Sequence, residues 1–167
     1  MSMMDGIIRD SLGSYEILFR IVFSAFLGFI IGLDRTQKHK PAGVKTYMYV
    51  ALASTLVTII SIESVRMYAG YHEKTVMDPM RLTAQVVAGL GFIGAGIILK
   101  DGAKIIGLTS AAMVLFVGGI GIGIGTGLYS YVIVSYVISI LFVKLGNYIE
   151  YKEKIKEQMM QDHDHQV

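Results

Sequence analysis

Residues 89–94 read Gly-Leu-Gly-Phe-Ile-Gly, the G-x-G-x-x-G spacing of a dinucleotide-binding turn. Such a turn needs a strand before it, a helix after it, and an acidic residue about 20 positions further on. These glycines lie instead within residues 82–99, which carry no charge, and the next acidic residue is Asp101, seven positions after Gly94. The spacing therefore does not predict a nucleotide site, and the glycines need another role.

Other kinds of chemistry find little support in the residue types. The chain has no cysteine, which excludes disulfides, thiol catalysis and thiolate-bound metal. HExxH, GxSxG and P-loop motifs are absent, and no nucleophile–base pair is visible. We therefore expect no enzyme and no organic cofactor. The net charge of +2 is too small to predict a nucleic-acid partner.

The composition indicates a protein that lies in lipid. Apolar residues make up 53% of the chain and charged residues 17%, against about 25% charged in soluble domains. Three stretches, 46–62, 82–99 and 105–143, contain no charged residue at all. Apolar runs of about 18 residues or more are typical of transmembrane helices, so membrane lipid is the first expected partner.

The uncharged run 105–143 is too long for one crossing. As a single helix its 39 residues would extend about 58 Å, whereas the hydrocarbon core is about 30 Å thick. We place a turn at 125–130, which is rich in turn-forming residues. The predicted spans are 15–33, 44–63, 80–99, 106–125 and 129–145.

These spans predict an all-α membrane protein with about five transmembrane helices. The transmembrane domain covers 15–145, and a short charged tail covers 146–167. With the N-terminus outside, ten lysines and arginines lie on the cytoplasmic side and four outside. The positive-inside rule therefore predicts an external N-terminus and a cytoplasmic C-terminus.

Small residues are arranged in stripes on the third and fourth spans. On a helix over 81–99, Ala84, Ala88, Gly91 and Ala95 share one stripe, and Val86, Leu90, Ile93 and Ile97 lie opposite. Because small residues mark helix–helix contacts in membranes, we expect these spans to form the packed centre. The predicted packing positions are Ala84, Ala88, Gly89, Gly91, Ala95, Gly96, Gly119, Gly121, Gly123 and Gly125. The alternative for the fourth span is a broken segment lining a cavity.

Polar side chains at membrane depth are costly, which makes each a functional candidate. The candidates are Arg20, Asp34, Arg35, Lys45, Thr46, Arg81, Gln85 and Thr109. Simpler roles stay open for several of them. Arg20 can snorkel with Glu16 as its partner, Asp34 and Arg35 can anchor the interface, and Thr109 can bond to its own helix. Asp78 before Pro79 is typical of a helix N-cap.

Four blocks of the sequence resemble the MgtC/SapB family of bacterial inner-membrane proteins. They read RIVFSAFLGFIIGLDR, AGVKTYMYVALASTLVTIIS, DPMRLTAQVVAGLGFIGAGIIL and GLTSAA, in family order. The resemblance is not uniform. Asp34-Arg35 stands where the family usually has Glu-Arg, Lys45 replaces an arginine of its second block, and Met113-Val114-Leu115 follows where Thr-Leu-Trp is frequent. Many members add a cytosolic domain after the fifth span, and this chain resembles a short form without it.

The resemblance implies a multi-pass plasma-membrane protein linked to growth in low Mg²⁺, acid stress and intracellular survival. One family member is described as acting on the F-type ATP synthase. We therefore expect a regulatory or interaction protein that forms a homo-oligomer, most simply a dimer. The alternative is a small Mg²⁺ or proton-coupled transporter or channel. Mg²⁺ is the one candidate cofactor, although no span has an Asp or Glu in its middle to bind it.

Overall fold

The structure is a computed structural model that describes residues 3–68 and 78–164. Within those ranges five helices and one short hairpin follow each other along the chain. They are α1 (Met3–Gln37), α2 (Val44–Tyr68), α3 (Arg81–Ile97), β1 (Leu99–Asp101), β2 (Lys104–Ile106), α4 (Leu108–Thr126) and α5 (Tyr129–Asp164). The predicted all-α class is confirmed, with the hairpin as an addition. The last three residues of the predicted tail lie outside the described ranges.

Four helices in the described part of the chain are long and apolar enough to cross a membrane. Their spanning stretches are Gly13–Gln37, Val44–Tyr68, Leu108–Thr126 and Tyr129–Glu153. The fifth, α3, has 17 residues and is therefore about 25 Å long, at the lower limit for a crossing. The predicted span 80–99 was too long, because the helix ends at Ile97 and a strand begins at Leu99. The side of the membrane on which each end lies stays a prediction.

The start of α3 differs from the predicted cap. Met80 occupies the N-cap position, and the helix begins at Arg81. The Asp78 carboxylate accepts a hydrogen bond from the Met80 N–H at 2.8 Å, so it holds the turn before the helix rather than the helix itself. Pro79 lies in that turn and not at the first helical position. The Asp-Pro pair therefore correctly marked a boundary, but two residues early.

The hairpin between α3 and α4 reverses the chain. Leu99 pairs with Ile106 and Asp101 with Lys104 in an antiparallel register. Gly102 has φ +59°, as the first central residue of a tight hairpin turn requires. Gly107 follows with φ +95°, and a Cβ there would overlap the Ile97 carbonyl oxygen. Since that approach brings the end of α3 to the start of α4, the two helices run antiparallel.

The chain falls into two compact units, and the division comes after Tyr129. In the first unit α2 packs on α1 and α4, while α3 packs mainly on α4. Both α2 and α4 contact all the other helices of this unit, whereas α3 lies at its edge, so the expectation of a packed centre is confirmed for α4 and wrong for α3. The second unit begins at Ser130 and contains the rest of α5.

Glycines bring the helices of the first unit close together. Gly28 on α1 lies against the Tyr47 carbonyl of α2, where a Cβ would lie 2.7 Å from the oxygen. On α4, Gly121 and Gly125 lie against α2, and Gly118 receives the Leu90 side chain of α3. Four helices thus meet at glycines that lie against the backbone or side-chain atoms of a neighbouring helix, where the Cβ of alanine would be obstructed.

Candidate functional site

Arg35, at the end of α1, is a charged side chain inside the bundle. The residue is only 6% exposed. Its Nη2 donates to the Ser110 hydroxyl at 3.3 Å, and its Nε is buried with no hydrogen-bond partner. None of the ion pairs in the described part of the chain includes it. A buried guanidinium without a carboxylate is costly, so this position needs a reason beyond anchoring.

The Arg35 side chain is held where three helices converge. Tyr47 on α2 is fully buried and donates its hydroxyl to the Ser110 carbonyl at 3.3 Å. Ser110 thus binds α1 through its hydroxyl and α2 through its carbonyl, at the third residue of α4. The neighbouring Asp34 faces away, because its carboxylate pairs with Lys38 at 2.7 Å on the surface. The adjacent acid therefore does not neutralise Arg35.

The end of the first unit that holds Arg35 is rich in positive charge. We call it the basic end and define it as residues 34–45 and 98–107, the two connections that meet there. These segments contain six lysines and arginines and two aspartates. The positive members are Arg35, Lys38, Lys40, Lys45, Lys100 and Lys104. The basic end therefore favours anions over cations such as Mg²⁺.

Arg20 lies fifteen residues earlier on α1, about 22 Å away along the helix. Its Nη1 donates to the Gly125 carbonyl at 2.6 Å, its Nε to the Tyr129 hydroxyl at 3.2 Å, and its Nη2 pairs with Glu16. Phe19 packs against the Tyr129 ring edge-on, with ring centroids 5.9 Å apart. Arg20 is therefore fully used in closing the turn after α4, which supports the structural role over a functional one.

Hydroxyl groups form a buried stripe along α2. Thr55 donates to the Gly121 carbonyl at 2.9 Å, Thr58 to the Ser54 carbonyl at 2.8 Å, and Ser61 to the Pro79 carbonyl. Thr83 on α3 differs, because its buried Oγ1 has no hydrogen-bond partner among the described residues. Most of these hydroxyl protons are already committed to backbone oxygens, so the stripe chiefly holds helices together.

The small stripe of α3 is exposed in the first compact unit, as the described residues show. The buried positions of α3 are Thr83, Leu90 and Gly94, which lie on a different side of the helix, about 110° around its axis from that stripe. We call Ala84, Ala88, Gly91 and Ala95, with the neighbouring Gln85, the free face of α3; all five residues are exposed. The bulky side was predicted to meet lipid or a looser contact, and this is wrong for Leu90, which packs on Gly118 of α4, whereas Ile93 on the same side is exposed.

The structure distributes the remaining candidates unevenly. Lys45, Arg81 and Thr109 are exposed, and Thr46 is half-buried, so no common polar path joins them. Gly89, Gly91, Gly96 and Gly119 have no neighbour where a Cβ would extend. No group of three or more metal-binding side chains occurs among the described residues. Arg35 is the candidate that the structure places in a distinctive environment.

Several residues around Arg35 were not predicted from the sequence. Ser110, rather than Thr109, is the polar residue at the start of α4 that meets another helix. Tyr47 was not singled out, although Tyr47, Ser54, Thr58 and Ser61 recur at helical spacing through an uncharged run. A polar stripe at intervals of three, four and seven inside an apolar span is the signal that predicts a buried face.

These features define a helical membrane protein built from long apolar helices around a glycine-rich α4. Residues 21–152 match the model of the MgtC family, so this chain belongs to that family. The matched range includes Arg35, Tyr47 and Ser110, whereas Arg20 lies one residue before it. No solved structure matches the chain.

Curated relatives extend the family assignment to several bacteria. Protein SapB of Bacillus subtilis is 38% identical over 130 residues, which cover 77% of this chain and 56% of the relative. The protein named "Putative magnesium transporter YhiD" of Escherichia coli K12 is 33% identical, with 82% and 63% covered. Protein MgtC of Brucella abortus is 37% identical, with 68% and 44% covered. The chain thus spans about half the length of the curated relatives it matches.

Proposed function

We propose that this protein acts in the plasma membrane by helix–helix association, first with a second copy of itself, as a regulatory protein in adaptation to low Mg²⁺, acid or intracellular stress. The observation that carries the proposal is the free face of α3. A helix that packs by one side on α4 and presents a continuous small-residue stripe on the other is suited to a partner helix.

The free face favours a second copy because it is self-complementary. Ala84, Ala88, Gly91 and Ala95 allow two backbones to approach closely along three turns. Gln85 adds a side-chain amide that is both donor and acceptor, so two copies related by a two-fold axis can bond to each other. The exposed Gln85 side chain would otherwise meet lipid with no partner.

The magnesium connection comes from relatives and not from a metal site. One relative carries the name "Putative magnesium transporter YhiD", and the family carries the MgtC name. A regulatory role agrees with the lack of a carboxylate cluster among the described residues, since hard cations prefer several oxygen ligands. Another membrane complex, the F-type ATP synthase included, is the natural second partner for the same face.

Cysteine cross-linking tests the dimer directly, because the chain has no cysteine of its own. Ala88→Cys should give disulfide-linked dimers in native membranes under mild oxidation. Val22→Cys, at an exposed position of α1, is the matched control and should stay monomeric. Gly91→Leu should lower the Ala88→Cys yield at least fivefold, whereas Gly13→Leu, in equally open space, should not. Equal cross-linking at positions 88 and 22 would refute the interface.

Transport is the second candidate function, and the unpartnered Thr83 hydroxyl favours it. A buried hydroxyl with no partner among the described residues could bind a passing ion or water. Proteoliposomes should be tested for Mg²⁺ and proton flux against protein-free vesicles. Flux that Thr83→Val abolishes without loss of thermal stability would support transport, and absence of flux in a dimeric preparation would support the regulatory proposal.

A further inference from the structure

We infer that Arg35 and the first turn of α4 form a binding site for a phosphate group, carried by a free phosphate or by a phospholipid headgroup. The juxtaposition that carries this inference is a buried, unneutralised guanidinium bonded to the first turn of an uncapped helix. The inference is independent of the free face of α3 and of the proposed dimer.

The first observation is the unmet hydrogen-bonding capacity of Arg35. Among the described residues, the Arg35 Nε is buried without a partner, and the one hydrogen bond of the guanidinium goes to a neutral hydroxyl at the long distance of 3.3 Å. A guanidinium presents its donors as a planar fork that matches two oxygens of a phosphate or carboxylate. Because Asp34 is engaged with Lys38, the chain supplies no such group from the adjacent position.

The second observation is the state of the α4 N-terminus. Gly107 is the N-cap and has no side chain to cap the helix, and the first turn holds no acidic residue. The first intrahelical bond runs from the Ala111 N–H to the Gly107 carbonyl at 2.8 Å. The amides before Ala111 therefore have no acceptor within the helix, and the positive end of the helix dipole is uncompensated. Ser110 places Arg35 on this same turn.

The surroundings favour a phosphate over a protein carboxylate. The basic end has six positive and two negative side chains, which raises the local concentration of anions. It also lies at the ends of long apolar helices, where lipid phosphates are the abundant anions. Helix N-termini and arginine together form the usual phosphate cradle of proteins. Since Nε is covered in the structure, binding requires the flexible Arg35 side chain to turn towards the phosphate.

The test compares two phosphate sources on delipidated protein in neutral detergent. The thermal midpoint is followed at constant ionic strength while sodium phosphate replaces sodium chloride, and separately while phosphatidylglycerol replaces phosphatidylcholine. A saturable rise with inorganic phosphate identifies a free-anion site. A rise with phosphatidylglycerol alone identifies a headgroup site. Either rise supports the inference, provided that it depends on Arg35.

Two variants make the assignment specific. Arg35→Gln should weaken the apparent phosphate affinity at least tenfold, and Lys38→Gln, an exposed change at the same end, should weaken it less than threefold. Without phosphate, Arg35→Gln should be at least as stable as the unmodified chain, because the variant removes an unneutralised buried charge. The inference fails if neither source raises the midpoint, if Arg35→Gln keeps the full rise, or if the variant is equally destabilised with and without phosphate.

Discussion

Replacement of Gly121 by alanine tests the central contact of the bundle. A Cβ at this position would overlap the Ala51 carbonyl oxygen and lie 2.8 Å from the Ser54 Cβ. Both neighbours belong to the fully buried side of α2, so neither can move aside as a flexible side chain could. The helices would have to separate by about 1 Å to restore an ordinary contact of about 3.5–4 Å.

The cost follows from the strain and from one lost hydrogen bond. Overpacking of this kind costs about 1–3 kcal/mol. Separation also weakens the bond from the Thr55 hydroxyl to the Gly121 carbonyl, which contributes about 1 kcal/mol. The higher helix propensity of alanine offsets about 1 kcal/mol. We therefore expect Gly121→Ala to lower the free energy of unfolding by about 1–3 kcal/mol.

Gly119→Ala is the matched control, two residues away on the same helix. No atom lies within 4 Å of its Cβ position, so only the propensity gain remains, about 0.5–1 kcal/mol. The two variants should differ by about 5–15 °C in the thermal midpoint, measured by circular dichroism in detergent. If Gly121→Ala melts at or above Gly119→Ala, the α2–α4 packing described above is wrong.

Other substitutions probe the remaining contacts by the same measurement. Arg20→Ala should cost about 2–3 kcal/mol, because it removes charged bonds to Gly125 and Tyr129, whereas Arg66→Ala, in an exposed pair with Glu63, should cost under about 0.5 kcal/mol. Equal effects would contradict the closing role of Arg20. Thr55→Val should lower the free energy of unfolding by about 1 kcal/mol, because it removes the hydrogen bond to the Gly121 carbonyl of α4. An unchanged stability would show that this hydrogen bond does not stabilise the bundle. Gly107→Ala should destabilise more than Gly102→Ala, since both have positive φ but only Gly107 lies against a backbone oxygen.

The helices themselves were readable from the sequence, because lipid imposes a length and excludes charge. The uncharged run 105–143 had to turn, and the structure turns it at Gly127, within the predicted 125–130. The hairpin was not predicted, since strands of three residues leave no periodicity to detect. The predicted end of α3 was also wrong, because Ile98 and Leu99 continue the apolar run although the helix has already ended at Ile97.

The environment of Arg35 was only half predictable. Its charge at the end of a span marked Arg35 as a candidate. Lys45 and Arg81 were candidates for the same reason, and the structure leaves both exposed. What distinguishes Arg35 is its burial and its hydrogen bond to Ser110, which lies 75 positions further along the chain. A single sequence contains no information on which side of each helix meets which neighbour, so the candidates could not be ranked.

The sides of α3 show why this ranking fails in a membrane more than in water. In water the apolar side of a helix turns inward, so one helix predicts its own buried face. In lipid both sides of α3 are tolerated, and contact forms where the shapes of two helices match. Leu90 packs against the space beside Gly118, so this bulky residue faces inward while the small stripe is exposed. A stripe of small residues therefore marks a surface that permits close approach. Which helix packs there depends on which neighbour has a bulky side chain that fits the space. For the inner side that side chain is Leu90 of the same chain; for the free face we propose that it comes from a second copy.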